Sequence, residues 1–125
     1  MRLIKIENRT TPLANPLKVR YCDTFLSRLR GLTFQRSLPP EEGIILAQTR
    51  DSRLDSAIHM LGVWFDLGVV WLDGNQQVVD RRIAHRWRLL YIPIKPARFV
   101  LEMHPVRLGE FNLGDRLSFI NEGTL

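Results

Sequence analysis

The chain has 125 residues, 45% hydrophobic and 25% charged, with 18 basic against 13 acidic side chains and a formal net charge of +5. A chain of this size buries about two-thirds of its unfolded surface, so disorder and a stapled miniature fold are both excluded. The lone cysteine, Cys22, excludes an internal disulfide, and no stretch approaches the ~18–20 consecutive apolar residues of a membrane span.

"RLIKIEN" (2–8) and "LKVRY" (17–21) alternate polar and apolar residues, which predicts two half-buried strands joined by the turn chemistry of "TTPLANP". Asp23 is placed to N-cap a short helix carrying Phe25, Leu26, Leu29 and Leu32 at helical spacing, with Gly31 to end it. Pro39, Pro40 and Gly43 break the chain before a short strand, "IILA"; "RDSRLD" (50–55) reads as a polar loop and "SAIHM" (56–60) as a strand. "GVVWL" and "QVVDRRI" flank "DGNQ" (73–76), which predicts a hairpin whose Asp-Gly pair supplies the positive φ of a tight turn. Pro93 and Pro96 precede a strand at Phe99 to Met103 and predict that it enters from an edge or an extended loop. "NLGDRLSFI" offers a Gly-Asp turn and a closing strand.

Seven to nine short strands with one or two short helices predict a mainly β (α+β) fold: a compact, barrel-like antiparallel or mixed sheet forming a single domain over 1–125. The opening residues lack the continuous apolar core of a signal peptide, so a cytoplasmic protein is expected, monomeric or weakly dimeric and without a membrane.

Four stretches carry a family resemblance: "RLRGLTFQRSL" (28–38), "IHMLGVWFDLGVVWLDGNQQVV" (58–79), "RWR" (86–88) with "ARFVLEM" (97–103), and "LGD" (113–115). Over about Thr24 to Ile120 the chain resembles domain-of-unknown-function family 192, small bacterial and archaeal proteins without an assigned activity. The resemblance therefore implies a fold and brings no chemistry. It also exposes a departure: the aspartate of the family's pattern falls at Gly68, and its proline at Asp66. A carboxylate displaced by two residues keeps its sheet face only where the chain is extended.

Asp66, between Phe65 and Leu67, needs a hydrogen-bonding partner or water wherever it is buried. Paired with an arginine or backbone amides it anchors the fold; beside His59 it becomes a general acid or base in a hydrolase or metal-assisted enzyme, within a cleft lined by Trp64 and Trp87. His59, Asp66, His85 and His104 lack a recognised metal-ligand spacing, so no metal and no cofactor are expected. Cys22 has no fixed base beside it and reads as a small core residue. Arg30, ahead of Gly31, suits either a clamp on a buried carboxylate such as Asp66 or Glu102, or an anion site. Arg81, Arg82, Arg86, Arg88, Lys95 and Arg98 form a segment with no acidic residue and leave 12 basic against 13 acidic residues elsewhere. Interleaved with Trp87 and Tyr91, they predict a binding or accessory domain for an anionic partner, a nucleic acid or an acidic protein surface. A solvated arginine-rich face is the competing reading.

Overall fold

A computed structural model describes residues 2–24, 27–28, 31–32 and 35–124. It contains seven strands: β1 (Arg2–Asn8), β2 (Leu17–Cys22), β3 (Glu42–Ser52), β4 (Leu67–Leu72), β5 (Val78–Ala84), β6 (Ala97–Met103) and β7 (Leu117–Thr124), with a 3-10 helix at Pro105–Glu110 before the last. They form one sheet in the order β5-β4-β6-β3-β2-β1-β7. Every neighbouring pair is antiparallel except β2 and β3, which run parallel. A parallel pair needs a crossover. Residues 23–41 supply it, and the helix expected after Asp23 falls largely on positions outside the described residues; within them, the Arg28 N–H donates to Thr24 O and the Gly31 N–H to Ser27 O.

The mainly β, mixed sheet is the expected fold, and it is open, although its edges approach each other. Val78 N–H donates to Asp115 O and Leu117 N–H to Gln76 O, so one end of β5 is stitched to the start of β7. One buried cluster draws on all seven strands, among them Ile4, Leu17, Ile45, Val70, Val78, Leu101 and Leu117. A single cluster can gather both edges only where the sheet curls around it. The opposite face carries Ile44, Val69, Trp71 and Val100 under Leu38, Ile58, Met60, Val63 and Tyr91 from the connecting loops. Each such side chain contributes about 1.5–3 kcal/mol on burial. Trp71 is wholly buried, and its indole N–H donates to Ser56 O at 2.8 Å, which satisfies its one polar atom.

Both faces being covered explains the apolar run "LGVVWL": all six residues of β4 are buried, so it does not alternate. Several local expectations are corrected. β3 is eleven residues long and takes in Arg50–Ser52, read from sequence as loop, while "SAIHM" contributes only the isolated bridge between Ile58 and Tyr91. In the β4–β5 hairpin the left-handed residue is Gln76 (φ 61°), not Gly74; the Asp73 carboxylate accepts the Asn75 and Gln77 N–H groups and tightens the turn instead. β6 is central, between β4 and β3, and of the two readings of its entry the loop holds: both prolines precede the strand, so no ladder N–H is lost.

The 3-10 helix was not legible, yet it carries a structural clamp. Arg107 is buried; it pairs with Glu110 and donates to Asn15 O, Pro16 O and Pro40 O, tying two loops to the sheet end.

Candidate functional site

Antiparallel pairing places the start of β4 beside the ends of β5 and β6, so the loops entering and leaving these strands gather at one end. Residues 58–60 and 87–91 are joined there by backbone bonds: Ile58 and Tyr91 exchange both N–H···O contacts, Met60 N–H donates to Arg88 O, and Trp87 N–H donates to Met60 O. The pair of loops is thereby fixed, and its tip presents Trp64 and Trp87 edge to face, with ring centroids 5.2 Å apart.

These tryptophans are 57% and 48% exposed. Leu61, Leu89, Leu90 and Ile94 are exposed on the same two loops. Trp87 also sits at φ 65°, a left-handed conformation that costs a bulky side chain about 1–2 kcal/mol. The left-handed backbone at Trp87 and its edge-to-face contact with Trp64 fix the half-exposed ring at the tip.

Asp66 immediately precedes β4. Its Oδ1 accepts the Arg86 backbone N–H at 2.9 Å and the Arg86 Nε–H at 3.1 Å, while Oδ2 lies 3.6 Å from His85 Nδ1. The hydrogen bond from the Arg86 amide, then that from its side chain, hold the carboxyl below its ordinary range despite opposing desolvation. The side chain is a third exposed rather than enclosed among apolar neighbours. A Cβ at Gly68, where the family pattern places an aspartate, would meet Leu108 and the His104 carbonyl, and His104 also lines the pocket that Asp66 borders. Asp66→Ala is expected to cost about 1 kcal/mol, because the Arg86 amide loses its acceptor in a partly solvated setting. A depressed folded pKa gives stability above the ordinary carboxylate pKa and loses it as pH falls through the folded value. The gap between wild-type and variant urea midpoints should thus narrow from pH 7 to pH 3.

The remaining candidates separate. His59 is exposed, and no hydrogen bond or ion pair joins it to Asp66 among the described residues. His85, three positions past the Arg81-Arg82 pair, is the histidine nearest that carboxylate. Arg81 and Arg82 lie on opposite faces of β5: Arg81 donates to Leu108 O at 2.9 Å, whereas the Arg82 guanidinium stands 6.0 Å over the Tyr91 ring. Arg98 is paired with Asp51 at 3.0 Å. Arg88 and Lys95 are exposed, and Arg30 lies outside the described residues. Thus the sequence-adjacent cations spread over two faces, and only Arg86 and Arg88 flank the tryptophans. Burial raises the Cys22 thiol above its ordinary range, outweighing nearby Arg20, so it is a protonated core side chain. Among the described residues no three of His, Cys, Asp and Glu converge as metal ligands.

A second feature adjoins the tip. A pocket of about 370 Å³ opens between the crossover residues Arg36 to Leu38, the Phe65–Asp66 step into β4, Arg86 after β5, and His104–Pro105 after β6. Neither Arg36 nor His104 was read from the sequence as a partner of Arg86. These three side chains come from three separate loops, and no spacing signals their meeting.

A family model for DUF192, described as "Uncharacterized ACR", matches residues 5–119. A UPF0127 protein from Thermococcus kodakarensis is 34% identical over 116 residues, covering 91% of this chain and 72% of that protein. Another from Thermococcus gammatolerans is 35% identical over 103 residues, covering 81% and 65%. Among solved structures, a proposed transcription regulator of Sinorhizobium meliloti has a TM-score of 0.79 at 16% identity, covering 94% of this chain and 92% of that one. A protein of unknown function from Novosphingobium aromaticivorans has a TM-score of 0.75 at 18% identity, covering 93% and 83%. At these identities the likeness is one of fold.

Proposed function

Because the chain belongs to the DUF192 family, which brings a fold and no assigned activity, we propose from its own side chains that it is a non-enzymatic docking domain for an acidic, apolar-bearing protein surface. The observation that carries this reading is the exposed Trp64–Trp87 pair, with Trp87 held in a left-handed backbone. Tryptophan and arginine are the side chains that anchor protein interfaces, and Arg86 and Arg88 bracket Trp87 in the chain.

The surrounding leucines favour a protein over a nucleic acid, whose interfaces are far more polar and cationic. The diverging arginines point the same way, since Arg81 and Arg98 are engaged elsewhere. The name of the Sinorhizobium fold relative makes oligonucleotide binding the arm to test beside it. The hydrolase alternative on His59 and Asp66 draws no support from their separate surroundings.

Display selection of random peptides on the whole protein tests the reading. Peptides combining Asp or Glu with Leu or Phe should emerge and quench tryptophan fluorescence. The double variant Trp64→Ala/Trp87→Ala should weaken them about tenfold or more while keeping the wild-type melting temperature within a few degrees. Peptides without that composition, or an affinity unmoved by the double variant, remove the proposal. A single-stranded oligonucleotide bound more tightly than the peptides, with affinity falling steeply in salt, transfers the site to nucleic acid.

A further inference from the structure

The pocket beside the tip differs from it in kind, being concave and lined by cations. Its polar wall is Arg36, Ser37, Arg86 and His104, with Asp66 as its one carboxylate; Leu38, Phe65 and Pro105 form the apolar wall. Two guanidinium charges stand against a single negative charge. Asp66 occupies the backbone N–H and Nε of Arg86, and the Trp64 carbonyl accepts from Nη1 at 3.4 Å. The other terminal nitrogen, Nη2, donates to nothing among the described residues. Arg36 is exposed and likewise engages no acceptor among them.

His104 adds a donor of fixed sense. Its Nδ1 accepts the Val106 N–H at 3.1 Å, capping the 3-10 helix. A neutral imidazole that accepts at Nδ1 carries its proton on Nε2, so the ring presents N–H and not a lone pair to whatever enters. Arg86, Arg36, His104 and the Ser37 hydroxyl together offer donors from three sides. That set matches an oxyanion, for which guanidinium forks are suited in shape as well as charge. A space of about 370 Å³ is several times larger than a bare oxyanion, and the apolar wall leaves room for a hydrophobic body attached to it.

We propose that this pocket binds a small molecule with an oxyanion head, a phosphate monoester or a carboxylate, held by Arg36, Arg86 and His104, and an apolar body packed against Leu38, Phe65 and Pro105. Phe65 and Asp66 enter β4 directly after Trp64, and Arg86 directly precedes Trp87, so the two sites share loops and Arg86, while the tryptophans belong to the docking surface alone. Phenyl phosphate, benzoate and inorganic phosphate are the probes, titrated into the whole protein and followed by calorimetry and amide chemical shifts. Phenyl phosphate or benzoate should saturate the protein and shift the amides of residues 36–38, 86 and 104. Inorganic phosphate should bind at least about tenfold more weakly for want of a body. The tighter of the two aromatic probes identifies the head group. Arg36→Gln, on an exposed side chain, should leave the fold intact and weaken the aromatic probe about tenfold or more. Trp64→Ala/Trp87→Ala should bind it as wild type does, which separates this site from the docking surface. Absence of saturation by either aromatic probe, or an affinity unchanged in Arg36→Gln, overturns the proposal.

Discussion

Glu102→Gln is expected to make the protein more stable at pH 8.5 than the wild type and to flatten its stability between pH 5 and 8.5. Glu102 is buried in β6, in register with Ile44 and Val69, both within the apolar cluster of the outer face. Desolvation pushes its carboxyl up to about 8 from an ordinary 4.5. Below pH 4.5 the folded and unfolded chains are both protonated at this position, and its favourable contribution is fully present. As pH rises from 4.5 toward 8 the unfolded chain releases the proton while the folded one retains it, so unfolding becomes progressively easier. The loss is complete above about pH 8 and reaches at most about 5 kcal/mol. A glutamine of the same shape does not ionise, so this dependence should vanish in the variant. Urea unfolding at pH 5, 6.5 and 8.5 measures both profiles. A wild-type profile that holds level across that window would show instead that the carboxyl is ionised and paired in the folded state.

Gly43→Ala is expected to lower the melting temperature by about 10 °C or more, corresponding to about 3 kcal/mol, and Gly43→Val by more. Gly43 lies in β3 between Val19 of β2 and Met103 of β6. A Cβ there would stand 2.5 Å from the Glu102 carbonyl oxygen and 3.2 Å from Val19 Cγ1. The closest atom is backbone of a central strand, which cannot move without breaking its ladder. Gly109 provides the control: a Cβ meets nothing within 4 Å, and Gly109→Ala should change stability by no more than about 0.5 kcal/mol. Calorimetric melting of the three variants decides the matter, and a Gly43→Ala protein that melts with wild type would mean that β3 and β6 can separate locally.

Gly43 also shows where sequence reading stops. It was read as a breaker before a strand, whereas its role is to admit a neighbouring backbone, and a pattern along one segment cannot report what crosses it. The same limit applies to β6, whose prolines pointed to an edge or a loop at its entry; they lie in the loop, and nothing along the segment reports that β4 and β3 pair with it on both sides. Strands whose environment alternates along their own length, β1 and β2, were legible, as was the β4–β5 hairpin, because period and turn chemistry are local. Of the site, the identity of Trp64, Trp87 and Arg86 was legible from their types and neighbours. Trp64 and Trp87 were placed together as the walls of a cleft, and they meet edge to face; the scatter of Arg81, Arg82 and Arg98 was not legible, because a run of cations along the chain does not report which face each one takes. Asp66 was read as an anchor seeking an arginine or an amide, and Arg86 offers it both. Arg36 and His104 could not be found this way, since loops far apart in the chain bring them to one pocket.

The pairing of β1 with β7, from Arg2 opposite Thr124 to Asn8 opposite Leu117, has a kinetic consequence. β1 can zip to β2 through a short loop, but its other edge waits for a segment nearly the whole chain away, and such distant closure is the slow kind. During synthesis β1 keeps its second border bare until β7 emerges from the ribosome. Until that moment another polypeptide could claim the vacant edge.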